Sequence, residues 1–377
     1  MMNKLITTTS TFLSILLLVS CQTSPKTEEV LKIIETVNDY YQKNHPPEVN
    51  AFWDNAAYHI GNMEAYFLTK NPAYLDYSLR WAEYNEWKGA KSDDKETWKY
   101  TYGETDEYVL FGDHQACFQV YIDLYRIDPK PYKIERAIEV MEYQLSTDKR
   151  DYWWWADGLF MVMPVMTKLH AVTGNPLYLE KLHEYWSYAD SLMYDKEEGL
   201  YYRDAKYVYP KHKTINGEKD FWSRGNGWVF AAYAKVLQDL PKSDPHRDMY
   251  IERFRSMAAA LAVCQQPQGY WTRSLLDPEH APGPETSGTA FFTYGFLWGM
   301  NNGYLDKEKY ESTIIKSWDY LQNMALQPDG RVGYVQPIGE KAIPGQVVDA
   351  NSTANFGVGA FLLASCEMVR YLQIKNK

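Results

Sequence analysis

The feature that most restricts this chain is an alternation between two kinds of helical segment, repeated along nearly its whole length. Hydrophobic periodicity gives helix after helix and hardly any convincing strand, beginning at 28–43, where Val30, Ile33, Ile34, Val37, Tyr40 and Tyr41 fall at helical spacing. One kind is long, amphipathic and charged: 74–87, 130–146, 177–194, 245–265 and 307–326. The other is poor in charge and rich in Ala, Gly and aromatics: 53–68, 114–125, 158–172, 225–237, 286–301 and 353–371. A helix that is apolar on nearly all sides must be buried on nearly all sides, so the second kind predicts an inner ring and the first an outer ring.

Internal repeats point the same way. The turn Thr69-Lys70-Asn71-Pro72-Ala73-Tyr74-Leu75 recurs as Thr173-Gly174-Asn175-Pro176-Leu177-Tyr178-Leu179, each time after an inner segment and before an outer one. Looser copies stand at Asp128-Pro129, Asp244-Pro245 and Leu305-Asp306. Asn or Asp caps the coming helix and Pro suits its first turn. A second piece follows the outer segments: Glu198-Gly199-Leu200-Tyr201-Tyr202, Gln268-Gly269-Tyr270-Trp271 and Asp329-Gly330-Arg331-Val332-Gly333-Tyr334, each read as a tight turn and a short extended stretch leading inward. The expectation is an all-α fold, a six-hairpin α/α toroid or (α/α)6 barrel, with short β pieces in its loops. The starts of the inner helices then converge on one face under long loops, which is where a site is expected.

No linker divides residues 28–377, which read as one catalytic domain. Residues 1–20 read as a secretory leader, with one cation, Lys4, and an apolar run too short to span a bilayer. Leu18-Val19-Ser20-Cys21 resembles a bacterial lipobox, which makes Cys21 the lipidated first residue and 21–27 a short tether. The expected location is the bacterial cell envelope, with the membrane reached through the lipid alone. Cys117, Cys264 and Cys366 lie in apolar helical stretches without CxxC spacing, so neither a disulfide framework nor a zinc site is indicated, and no metal is expected. A formal charge of −10 argues against nucleic acid as a partner. The oligomeric state is left open. Aromatics make up 16% of the chain; Trp and Tyr present flat apolar faces with a polar edge that suit sugars, while the plainer reading of any single ring is that it packs the core.

The unusual residues gather at the inner helix starts: Trp53-Asp54, Gly112-Asp113-His114, Trp153-Trp154-Trp155-Ala156-Asp157-Gly158, Trp222 to Trp228, and Glu285-Thr286-Ser287-Gly288-Thr289. An Asp at a helix start is ordinarily a cap. Asp157 differs because three Trp precede it, and a carboxyl beside large apolar rings is desolvated and holds a proton nearer neutral pH, as a general acid must. Asp113 is the natural second carboxylate, since glycoside chemistry commonly uses a pair. Arg224 reads either as a bidentate partner for a substrate carboxylate or as a bridge to a structural acid, and Trp228, four residues on, as a platform for a sugar ring.

The blocks Trp154-Trp155-Ala156-Asp157-Gly158-Leu159-Phe160-Met161, Trp222-Ser223-Arg224-Gly225-Asn226-Gly227-Trp228, Glu285-Thr286-Ser287-Gly288-Thr289-Ala290 and Gly357-Val358-Gly359-Ala360-Phe361-Leu362-Leu363-Ala364 are similar to those of the glycoside hydrolase family 105 and 88 group, the unsaturated glycuronyl hydrolases. The resemblance implies a toroid and an exo-acting enzyme without cofactor. Such an enzyme hydrates the C4=C5 double bond of an unsaturated uronic acid at the non-reducing end of lyase-generated oligosaccharides. It makes Asp157 the catalytic acid, Asp113 the carboxylate that binds ring hydroxyls, and Arg224 with Trp228 the substrate-contacting pair. His114, Trp155, Trp222, Glu285, Thr286 and Ser287, from the same helix starts, complete the candidate substrate-binding set. Many members carry a His after the aromatic pair of the extended stretch, where this chain has Tyr201-Tyr202-Arg203-Asp204. Arg203 is read as meeting a second anionic group, a sulfate or a uronate, or else as a surface charge. Two other functions remain at this stage: an ordinary inverting glycosidase using the Asp pair, and a non-catalytic glycan-binding lipoprotein.

Overall fold

A computed structural model describes residues 26–375. The leader at 1–20 and the lipidation site Cys21 lie outside the described residues. The chain is mostly helical. Its helices are α1 (Thr27–Asn44), α2 (Trp53–Thr69), α3 (Pro72–Tyr84), α4 (Gly112–Gln115), α5 (Phe118–Ile127), α6 (Tyr132–Leu145), α7 (Ala156–Thr173), α8 (Leu177–Met193), α9 (Ser223–Asp239), α10 (Arg247–Cys264), α11 (Thr286–Asn301), α12 (Lys307–Tyr320) and α13 (Asn355–Lys375). One two-stranded antiparallel ribbon, β1 (Tyr194–Asp195) with β2 (Leu200–Tyr201), is the extended structure long enough to count as strands among the described residues.

The segments expected to be inner are those buried all round. Every residue of α7 from Ala156 to Leu169, and of α9 from Ser223 to Leu237, is buried, whereas α8 buries one stripe through Tyr178, Leu182, Tyr185, Trp186, Ala189 and Met193. The buried helices meet in sequence, α2 on α5, α5 on α7, α7 on α9, α9 on α11, α11 on α13, and α13 returns to α2. Each also packs on one amphipathic helix: α3, α6, α8, α10, α12 and, for α13, the N-terminal α1.

The contact of α13 with α2 explains the Gly-Ala block. A Cβ at Gly61 would stand 2.4 Å from the carbonyl oxygen of Gly359, and one at Gly359 would stand 2.1 Å from that of Ala57. The two backbones touch, and only glycine permits that.

The two repeats seen in sequence return as repeated hydrogen bonds. Asn71 and Asn175 each accept from the backbone N–H two residues on, at 3.0 Å, while Thr69 and Thr173 each donate to a carbonyl one turn back, at 2.7 Å. The left-handed position between them is Lys70 in one copy (φ 57°) and Gly174 in the other (φ 72°). The second piece turns at Gly199, Gly269 and Gly330, all at positive φ, and its extended stretch then accepts from the first residue of an inner helix. Ala156 N–H donates to Arg203, Ser223 N–H to Arg273 and Thr286 N–H to Tyr334, each at 2.8 Å.

The second inner segment departs from expectation. It begins at Gly112 and is interrupted at Ala116-Cys117, where short-range bonds from Gln119 N–H to Ala116 O and from Val120 N–H to Cys117 O tighten the turn. The single turn of α4 carries Asp113 and His114.

Candidate active site

The same backbone pairing that ties each inner helix start to the following extended stretch builds the site. Trp155 and Asp204 form an antiparallel bridge, so the start of α7 and the Arg203-Asp204 pair arrive side by side although nearly fifty residues separate them. Arg203 Nε lies 3.6 Å from Asp157 Oδ2. Both atoms are buried, and neither has a hydrogen-bond partner among the described residues. The guanidinium is fixed from its other end, where Nη1 donates to Asp204 at 2.7 Å, and it lies 5.7 Å from the Trp154 ring centre.

These residues line a cleft of about 550 Å³, within the usual range for small-ligand sites. Trp154, Trp155 and Met161 come from around the start of α7, and Asp113 from α4. Phe52, Trp53 and Asp54 come from the start of α2, Tyr102 and Glu104 from the loop before α4. Arg203 and Lys206 follow β2, and Ile338, Gly339 and Glu340 belong to the loop before α13. Trp155 stacks on Phe111 at 4.8 Å, its ring lodged where Cβ atoms at Gly112 and Gly158 would stand within 3.1 Å. That placement gives these glycines a reason: they clear room for an aromatic wall.

Burial raises the carboxyls in this cleft above their ordinary range. Asp157 is pushed up by desolvation, against the pull of the Arg203 and Arg224 charges. Asp113 is likewise pushed up, by desolvation first and then by the charge of Asp157. Asp54 is raised by desolvation too. A group whose folded-state pKa lies above its unfolded value stabilises the fold at low pH, and that contribution is lost as pH rises through the folded value. Asp113→Asn therefore raises the melting temperature relative to the wild type as pH increases from about 5 to 9, and the two proteins converge below about pH 4, near the free carboxyl value. A variant melting below the wild type at alkaline pH would contradict the burial argument.

Of the residues expected from sequence, the structure brings Asp157, Asp113, Trp155 and Arg203 to the cleft. His114 stands one step behind, holding the 102–104 loop: its Nε2 is 3.2 Å from the Gly103 carbonyl, and its ring lies 4.8 Å from Phe52. The remaining six do not line the cleft. Arg224 is 1% exposed, donates to the carbonyls of Gln336 (2.6 Å) and Pro337 (2.9 Å), and is flanked by the rings of Trp222 and Phe356. Its guanidinium, pushed down to about 10 by burial, anchors the base of the loop that carries Glu340. Trp222 donates to the Gln336 side chain at 2.8 Å. Trp228 is fully buried among Phe160, Phe291 and Trp53. Glu285 caps α11, accepting from Ser287 and Gly288 N–H and from Gln336 N–H, while Ser287 Oγ donates to it. Thr286 Oγ1 pairs with Tyr320 at 2.7 Å. Trp222, Arg224 and Glu285 thus fasten the base of the last loop to the helix starts.

Trp154 was visible only as part of the aromatic run, and Asp54 only as an unusual helix start. Tyr102, Glu104, Lys206 and Glu340 stand on irregular loops and left no periodic signal; the charge of Lys206, three residues after Arg203, was the one available hint.

A helical fold with desolvated acids in an aromatic cleft suits chemistry on a sugar. The model of Glycosyl Hydrolase Family 88 matches residues 27–372, and the chain belongs to that family; it is a glycoside hydrolase. A curated Unsaturated 3S-rhamnoglycuronyl hydrolase of Formosa agariphila is 35% identical over 332 residues, covering 84% of each chain. A solved Glycosyl hydrolase family 88 protein from Bacteroides vulgatus is 65% identical, with a TM-score of 0.91 over 92% of this chain and 100% of that one. A solved chain named Polysaccharide Lyase BACCELL_00875 is 70% identical, with a TM-score of 0.91 over 92% of this chain and 98% of its own. A possible family 105 member from Salmonella enterica, 18% identical with a TM-score of 0.75, covers 96% of this chain and 98% of its own and shares the fold.

Proposed function

We propose that this enzyme removes a 4,5-unsaturated uronic acid from the non-reducing end of oligosaccharides left by polysaccharide lyases. The observation that carries the reading is the facing pair of unpartnered atoms, Asp157 Oδ2 and Arg203 Nε, buried 3.6 Å apart on the cleft. A uronate carboxylate bound at the free edge of Arg203 neutralises it and sets the neighbouring C5 and C4 beside Asp157. Asp157, kept protonated by desolvation, gives its proton to C4. The resulting carboxylate takes a proton from the water that adds at C5, so the acid is restored. The hemiketal formed at C5 opens and the leaving sugar is released. Asp113 receives the ring hydroxyls, and Trp154 and Trp155 supply the stacking wall.

The circuit of helix contacts from α2 through α13 and back supports a six-hairpin α/α toroid, with residues 28–377 as one domain. Anchorage through Cys21 at the cell envelope belongs to the same proposal.

The lyase name of one relative makes the direction of the ultraviolet change the deciding measurement. Hydration consumes the conjugated double bond, so absorbance of a lyase digest falls and a saturated oligosaccharide is left untouched. Absorbance rising on intact polysaccharide would instead establish elimination, and cleavage of saturated oligosaccharides without absorbance change would establish an ordinary inverting glycosidase.

A further inference from the structure

Two acids sit on the two cations of the cleft, and they are built differently. Asp204 is buried and accepts from Lys206 N–H at 2.7 Å and from Arg203 Nη1 at 2.7 Å. Glu340 lies 3.5 Å from Arg203 Nη1 and 3.4 Å from Lys206 Nζ, with its side chain 46% exposed. It stands on an irregular loop next to Gly339; the backbone on either side is held by the bonds of Arg224 to the carbonyls of Gln336 and Pro337 and of the Gln336 side chain to the Lys341 carbonyl at 2.9 Å, so it is the half-exposed side chain of Glu340 that is free to turn. The Lys206 side chain is 66% exposed. Arg203 already has its unpartnered Nε edge for the uronate carboxylate, so Lys206 is a second cation toward the outer part of the cleft that the reaction as proposed does not use.

We propose that Glu340 is a specificity-determining residue: it occupies the position of a second anionic group at Lys206, and a sulfate ester on the leaving sugar displaces it. The inference rests on the proposed removal of an unsaturated uronic acid. A flexible ammonium suits an anion that presents oxygens in several directions, whereas a planar carboxylate is better met by the guanidinium fork, and this division assigns sulfate to Lys206 and uronate to Arg203. Exchange of Glu340 for the sulfate keeps the charge around Lys206 balanced. A neutral leaving sugar has nothing to exchange and leaves the Glu340 ion pairs in place.

The test compares two unsaturated disaccharides that differ only in a sulfate ester on the leaving sugar, read as loss of absorbance. The quantity is the ratio of kcat/KM for the sulfated to the neutral substrate. In Glu340→Gln, which keeps size and polarity but removes the competing charge, the ratio rises about two- to fivefold, the scale of one exposed ion pair. In Lys206→Gln it falls by a similar factor. A ratio unchanged in both variants, or one that falls in Glu340→Gln, overturns the inference while wild-type turnover leaves the proposed reaction standing. Failure of the wild type to consume either substrate overturns the reaction itself.

Discussion

Asp157→Asn is expected to lower turnover of unsaturated oligosaccharides by about a thousandfold, within the usual range for removing a general acid, and to change KM little. The amide matches the carboxyl in size and keeps its place at the start of α7, but it has no acidic proton to deliver to C4. Apart from Trp154, Trp155 and Met161, the walls around it come from other helix starts and loops, so the variant should keep its helical circular dichroism and still bind substrate. Retention of more than about a tenth of the wild-type rate would remove Asp157 from the proton-transfer role and shift attention to Asp113, the other strongly raised carboxyl of the cleft.

Gly359→Ala is expected to cost about 3 kcal/mol or more in folding stability, at the upper end of what overpacking does. The added methyl would lie 2.1 Å from the Ala57 carbonyl oxygen and 3.0 Å from the Tyr58 Cα, both backbone atoms, so no side chain can rotate out of the way. Relief requires α13 to back away from α2, and α13 also packs on α11 and α1. Gly339→Ala is the matched control: its nearest neighbour would be the Pro337 carbonyl at 3.7 Å, ordinary van der Waals contact, and denaturant midpoints should shift by less than about 0.5 kcal/mol. Equal midpoints for the two variants would mean that the contact between α2 and α13 adjusts freely.

Repetition made much of the fold legible. The Asn-Pro turn and the Gly-aromatic turn return as the same hydrogen bonds at each copy, because each is a local device whose geometry its own residues specify. The helices poor in charge are the buried ones for an equally simple reason: without a polar face, burial all round is the one low-energy placement. The candidate site was legible where its residues also begin helices, as Asp113, Trp155 and Asp157 do. At Arg224, Trp228 and Glu285 the same signal coincides with packing of loops and core. A motif of unusual residues at a helix start marks close packing of loops as readily as contact with a ligand, and sequence spacing does not distinguish an arginine aimed at a cleft from one clasped by two carbonyls.

What the sequence determined by itself was therefore the set of elements, their order, their buried and exposed faces, and the acid most affected by aromatic neighbours. Those follow from hydrophobic periodicity and local backbone preference, which act over a few residues. Which arginine and which aromatic rings line the cleft, and which loop acid stands on Lys206, were decided only by tertiary structure. Arg203 and Asp157 lie on different stretches of chain, and the bridge between Trp155 and Asp204 that joins them depends on where one helix start settles against the next extended segment. Burial, and with it the proton affinity of Asp157 and Asp113, is a property of that assembled surface.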